Sequence, residues 1–154
     1  MIIVLVIILV GLVIWIVSTY NFFVSSKTRI KAAVQEIGNQ LKRQADLIPN
    51  LESSAKGYLK HEKGIYKDLT DARRAINSAV KSGNVQKMAD AGSKLASILP
   101  SIQVVVESNP ELKGSDVVTK LMDELRDTSD KVMFSRRLVI DLIRIRSKRQ
   151  SVSN

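Results

Sequence analysis

The pair His61-Glu62 opens the pattern with which zinc proteases present two imidazoles on successive turns of one helix. Position 65 is Ile, and the chain has one histidine and no cysteine. With the second ligand missing the sequence calls for no metal, and His61 reads as a surface or helix-packing polar group. Asp46 and Glu62 come nearest to an acid–base pair, yet each has a structural use. Asp46 stands three residues before Pro49, where it suits a helix cap, and Glu62 suits an ion pair on a helix surface. Phosphate loops need Gly-x-x-x-x-Gly-Lys-Ser/Thr, whereas Lys56-Gly57 and Lys63-Gly64 are single glycines in helical context. The chain therefore reads as non-enzymatic and without a cofactor.

Charge is the remaining chemistry. The formal net charge is +9, and between positions 131 and 154 seven cations, Lys131, Arg136, Arg137, Arg144, Arg146, Lys148 and Arg149, face Asp141 alone. Lys42, Arg43, Arg136, Arg137, Arg144, Arg146, Lys148 and Arg149 are accordingly the candidate contacts to a membrane surface or a partner. Beside an apolar anchor such a patch suits anionic lipid better than nucleic acid. Lys42 and Arg43 also lie four and three residues from Asp46, the spacing of helix-surface ion pairs worth about 0.2–0.5 kcal/mol. A solvated helix face is the plainer reading of that pair.

These residues need elements to position them. Residues Ile2 to Val17 are apolar apart from Gly11, the run continues to Val24, and no charge occurs before Lys27. A helix of roughly 23 residues at ~1.5 Å each is about 34 Å long, enough to cross a hydrocarbon core of about 30 Å. Trp15, Tyr20, Phe22 and Phe23 fall toward its end, where an interfacial aromatic belt belongs. A cleaved signal peptide wants a basic leading region, a shorter run and a small-residue cleavage site, and none is visible. The expectation is an uncleaved transmembrane anchor. Lys27, Arg29, Lys31, Lys42 and Arg43 follow it, so the positive-inside rule puts the N-terminus outside and the remainder in the cytoplasm.

Beyond the anchor, residues recur at steps of three and four: Ile30, Val34, Ile37, Leu41, Gln44, Ile48, Leu51, Ala55, Tyr58, Glu62, Ile65, Leu69, Ala72, Ile76, Ala79. This is a helical seam broken only by Gln44 and Glu62. Pro49 removes an amide within it, so either one helix kinks there or a new one starts with Asp46 as its cap. Ser82-Gly83-Asn84 is a break, and a helix from about Val85 to Glu107 follows with Pro100 inside it. Ser108-Asn109-Pro110 ends that segment, and Ser115 is placed to cap a long last helix whose seam is Val118, Leu121, Leu125, Thr128, Val132, Ser135, Val139, Leu142. Asp123, Glu124, Arg126, Asp127 and Asp130 lie on its outer face.

The segment from Gln40 to Leu51, Gln-Leu-Lys-Arg-Gln-Ala-Asp-Leu-Ile-Pro-Asn-Leu, is preceded by Tyr20-Asn21 and followed by Gly57-Tyr58, His61-Glu62 and Ala72-Arg73. In order and spacing it resembles the LemA family of bacterial membrane proteins. Glu107 to Lys113 and Leu121 to Leu125 look like that family's second conserved region, so the resemblance spans residues 20–137. It implies a short outer tail, one membrane helix and a helical bundle, and it brings no named catalytic activity. Gly38-Asn39 and Val139-Ile140 depart from the family's usual pairs, and the family's C-terminal continuation gives way to the basic tail.

The fold expected is all-α: a transmembrane anchor over residues 1–25, an up-and-down antiparallel bundle of three or four helices over 26–149, and a disordered tail over 150–154. The function expected is that of a non-enzymatic scaffold binding a membrane or cytoplasmic protein at the lipid bilayer. The alternative is an anionic-lipid or nucleic-acid binder acting through the basic C-terminal helix.

Overall fold

Helix α1 (Ile2–Ser54) runs 53 residues from the apolar segment into the core of the protein. At ~1.5 Å per residue it is about 80 Å long. The structure, a computed structural model, describes residues 1–59 and 62–152, and for Lys63 and residues 149–152 the backbone alone. Short α2 (Lys56–Leu59) turns the chain into α3 (Lys63–Ser82), which is followed by α4 (Val85–Ser108), short α5 (Pro110–Lys113) and α6 (Asp116–Val152). Among the described residues there is no strand. His61 lies outside the described residues.

The connections are short, so successive long helices run antiparallel. The second half of α1 packs on α3 and α6, α3 packs on α4, and α4 packs on α6, with α1 against α6 the most extensive pairing. The result is a four-helix up-and-down bundle in which α1 and α6 are neighbours. Its turns follow local chemistry. Gly83 takes a left-handed φ of +63° to close α3, a conformation that disfavours a side chain. The Asn84 side chain accepts the Lys87 amide at 3.0 Å to start α4, and Ser115 Oγ accepts the Val118 amide at 3.4 Å at the start of α6.

The sequence seams face the core. Ile37, Leu41, Ile48, Leu51, Leu69, Ala72, Ile76, Val118 and Leu125 are fully buried, and α4 adds Leu95 and Ile102. Pro49 separates no helices. α1 continues through it, because Ile48 and Leu51 beside it are held in the core and their packing outweighs one lost backbone hydrogen bond. Asp46 is therefore an exposed mid-helix residue and caps nothing, and the break falls at Ala55. Gln44, which interrupts the apolar seam, is fully buried and donates to Ser129 Oγ at 3.0 Å across the α1–α6 interface.

Gly92 is where α4 comes closest to its neighbours. A Cβ there would stand 2.9 Å from Val132 Cγ1 on α6 and 3.3 Å from Leu41 Cδ2 on α1. Helix α6 stays helical through Val152, past Arg149, where sequence patterning puts the end of the domain.

Candidate functional site

Two cross-bundle contacts set the relative height of α1 and α6. Gln44 meets Ser129, and Gly92 lies between Leu41 and Val132. Antiparallel helices rise equally, so each step along α6 past Ser129 matches a step back along α1 from Gln44. Arg144, fifteen residues past Ser129, therefore stands level with about position 29, and Lys148, nineteen past, with about position 25. Burial agrees with this register, since Thr19, Phe22, Phe23 and Ile30 are partly covered and Ser26 is 6% exposed. They fall on one stripe of α1 that continues through Ala33 to Ile37, the side against which α6 packs.

Helices α3 and α4 do not extend this far. Gly38 lies beside Met88 near the start of α4, so the Ser82–Asn84 turn comes level with roughly positions 33–34 of α1. Between that turn and the apolar run only α1 and α6 continue, as a two-helix stalk. Lys27, Arg29 and Lys31 on α1 come level with Arg144, Arg146 and Lys148 on α6 within a height of about 9 Å. They form a basic collar just past Val24, where the apolar run ends. All are exposed except Arg146, which is half-buried. Among the described residues no carboxylate pairs with Arg144 or Arg146. The side chain of Arg149 lies outside the described residues.

The other sequence candidates fall apart into separate places. Lys42 is exposed in the middle of the bundle, and Arg43 pairs there with Glu124 of α6 at 3.3 Å rather than with Asp46. Both partners are about half exposed, so the pair contributes at most about 1 kcal/mol. Arg136 and Arg137 lie one to two turns before the collar, Arg136 half-buried. Lys131, at 2.7 Å from Asp127, is engaged within α6.

A surface that sequence reasoning passed over lies beside the collar. An open groove of about 530 Å³ runs between α1 and α6, with Ala32 and Ala33 on one wall, Phe134 and Leu138 on the other, and Arg29 and Lys131 beside them. Phe134 is 69% exposed and Leu138 40%. The four-residue spacing of Phe134 and Leu138, one position off the buried Ser135 and Val139, was a legible sign of a second apolar stripe.

The opposite end of the bundle is closed. The Tyr58 hydroxyl on α2 donates to the Glu111 carboxylate on α5, while Leu59 and Leu112 are buried beneath. That hydrogen bond, then burial, then the carboxylate's charge hold the Tyr58 phenol above its ordinary pKa of 10.0. Among the described residues no three His, Asp or Glu side chains gather where they could share a metal.

Fold and site together define a class: an all-helical protein whose four-helix bundle is built on the continuation of an apolar helix long enough to cross a bilayer. The chain belongs to the LemA family, whose model matches residues 33–149. That match begins thirteen residues after the resemblance read from the sequence and ends twelve beyond it, so α6 as far as Arg149 falls within it. No curated protein matches the chain in sequence.

Proposed function

We propose that this protein is a single-pass membrane protein whose helical bundle, held in the cytoplasm against the inner surface, serves as a non-enzymatic platform for another protein. The observation that carries this reading is the unbroken passage of α1 from an apolar run into a bundle core. Ile2 to Val17, Gly11 aside, expose about half or more of their surface, which water does not tolerate over so large an area. A bilayer covers it at no cost, and the same helix then contributes Ile37, Leu41, Ile48 and Leu51 to the bundle. The cations that follow the run, Lys27, Arg29 and Lys31, favour the cytoplasmic side. The groove between α1 and α6, with Phe134 and Leu138 bare, supplies a surface of the apolar-with-basic-rim kind that protein partners use.

The test is co-purification of the full chain from carbonate-washed membranes in mild detergent, beside a Phe134→Ser/Leu138→Ser variant. The chain is expected to stay in the washed membrane and to retain a protein that the variant loses while keeping its helicity. Release of the chain by carbonate overturns the anchor. Identical protein profiles for the two overturn the groove as the partner site.

A further inference from the structure

The collar is a ring rather than a face. Successive residues of a helix turn by about 100°, so Arg144 and Lys148 lie toward one side of α6 and Arg146 toward the opposite side, with Ile143 and Ile145 on the flanks between them. A helix that lies flat on a membrane separates its apolar and basic residues into two faces. One that stands upright through a charged layer has no need to, because every side meets the same surroundings. Side-by-side register with α1 keeps this end of α6 upright, and it places these turns just past the apolar run. The headgroup region on each side of a bilayer is about 5–7 Å deep, close to the height of about 9 Å over which the six cations are stacked.

We propose that the last turns of α6, from about Ile143 onward, stand in the headgroup layer of the leaflet next to the bundle, where the collar binds anionic phospholipid. Arg144, Arg146 and Lys148 from α6, with Lys27 and Arg29 from α1, hold the phosphates, and the exposed Ile143 and Ile145 lie among them in the same layer. Charge complementarity selects this occupant. The stalk carries cations all round with Asp141 its one nearby acid on α6, so a second copy of the chain would meet like charge. The position beside Val24 selects lipid over an acidic protein. The proposal rests on the reading that α1 crosses the membrane, and it fixes a second point of attachment for the bundle.

The absence of cysteine allows single probes on the full chain. Ser147→Cys on α6, Ser97→Cys in the middle of α4 and Ser18→Cys in the apolar helix are each labelled with a small fluorophore in detergent. They are then reconstituted into phosphatidylcholine vesicles containing phosphatidylglycerol. Acrylamide reports exposure to water, and spin label carried high on the acyl chain of either lipid reports its proximity. The Ser147 and Ser18 probes are expected to be shielded from acrylamide and the Ser97 probe open to it. Spin-labelled phosphatidylglycerol should quench the Ser147 probe more than spin-labelled phosphatidylcholine. The local enrichment should be roughly five-fold, the ratio that one surface cation's attraction sustains. Arg144→Gln/Arg146→Gln should weaken that preference, as should high salt through screening. A Ser147 probe as open to acrylamide as the Ser97 probe overturns the proposal while leaving the anchor intact. Equal quenching by the two lipids overturns the headgroup selection. A Ser18 probe open to water overturns the anchor, and this proposal with it.

Discussion

At the end of the bundle farthest from the apolar run, α2 and α5 fold across the helix ends, bury Leu59 and Leu112, and join Tyr58 to Glu111. At the other end α3 and α4 stop at the Ser82–Asn84 turn, and α1 and α6 continue as a pair with Ile140, Ile143 and Ile145 exposed and with Arg144 and Arg146 paired to no carboxylate among the described residues. One end satisfies its own polar and apolar groups, and the other presents both outward. A protein of this size pays for an unsatisfied end in solubility unless something outside the chain covers it. The contrast is what the proposed lipid contact at the near end draws on.

If the bundle middle is the structural foundation for both ends, Leu41→Asp or Leu125→Asp should unfold it. Each places a carboxylate where the side chain is fully buried, at a cost of several kcal/mol, comparable to the whole stability of a small domain. Circular dichroism checks this. Unchanged helicity and melting in both variants would break the seam assignment. Gly92→Val should cost less, about 1–3 kcal/mol in urea unfolding, because the added carbons overpack the contact with Val132 and Leu41 but bury no charge.

At the near end the expectation reverses. Arg144→Gln/Arg146→Gln removes two cations that make no ion pair within the described chain, so urea unfolding should shift by no more than about 0.5 kcal/mol while binding to anionic vesicles weakens. A loss of stability instead would make the collar a structural feature and erase the distinction between the ends. The smallest effect belongs to the far end. Tyr58 should ionise above its ordinary pKa of 10.0 in a phenolate absorbance titration, and Tyr58→Phe should remove that late step. Because the folded pKa is raised, whatever stability the Tyr58–Glu111 bond contributes is fully present below pH 10.0 and is lost as pH rises through the folded value.

Much of this was legible in the residues. Helical hydrogen bonds and side-chain periodicity are local, so the apolar run, the two seams, the Gly83 turn and the Ser115 cap could be read from neighbours three and four apart. Fifteen seam positions from Ile30 to Ala79 turned inward with one clear exception, Glu62, which is exposed. The basic character of the last helix was equally plain.

What only the tertiary structure decided is which distant residues share a height. Gln44 and Ser129 are 85 residues apart, and nothing local to either announces a buried pair. The fate of Pro49 turned on whether packing of Ile48 and Leu51 outweighs one missing amide bond, a comparison of core burial with helix geometry that the sequence alone does not weigh. The candidate cations do not share one place in the fold. Lys42 and Arg43 belong to mid-bundle, while Lys27, Arg29 and Lys31, which the sequence offers only as signs of orientation, complete the collar. The register between α1 and α6 is the sum of many side-chain contacts along the whole interface. That sum exists only after folding, and it is what carries the end of α6 back to the foot of the apolar helix.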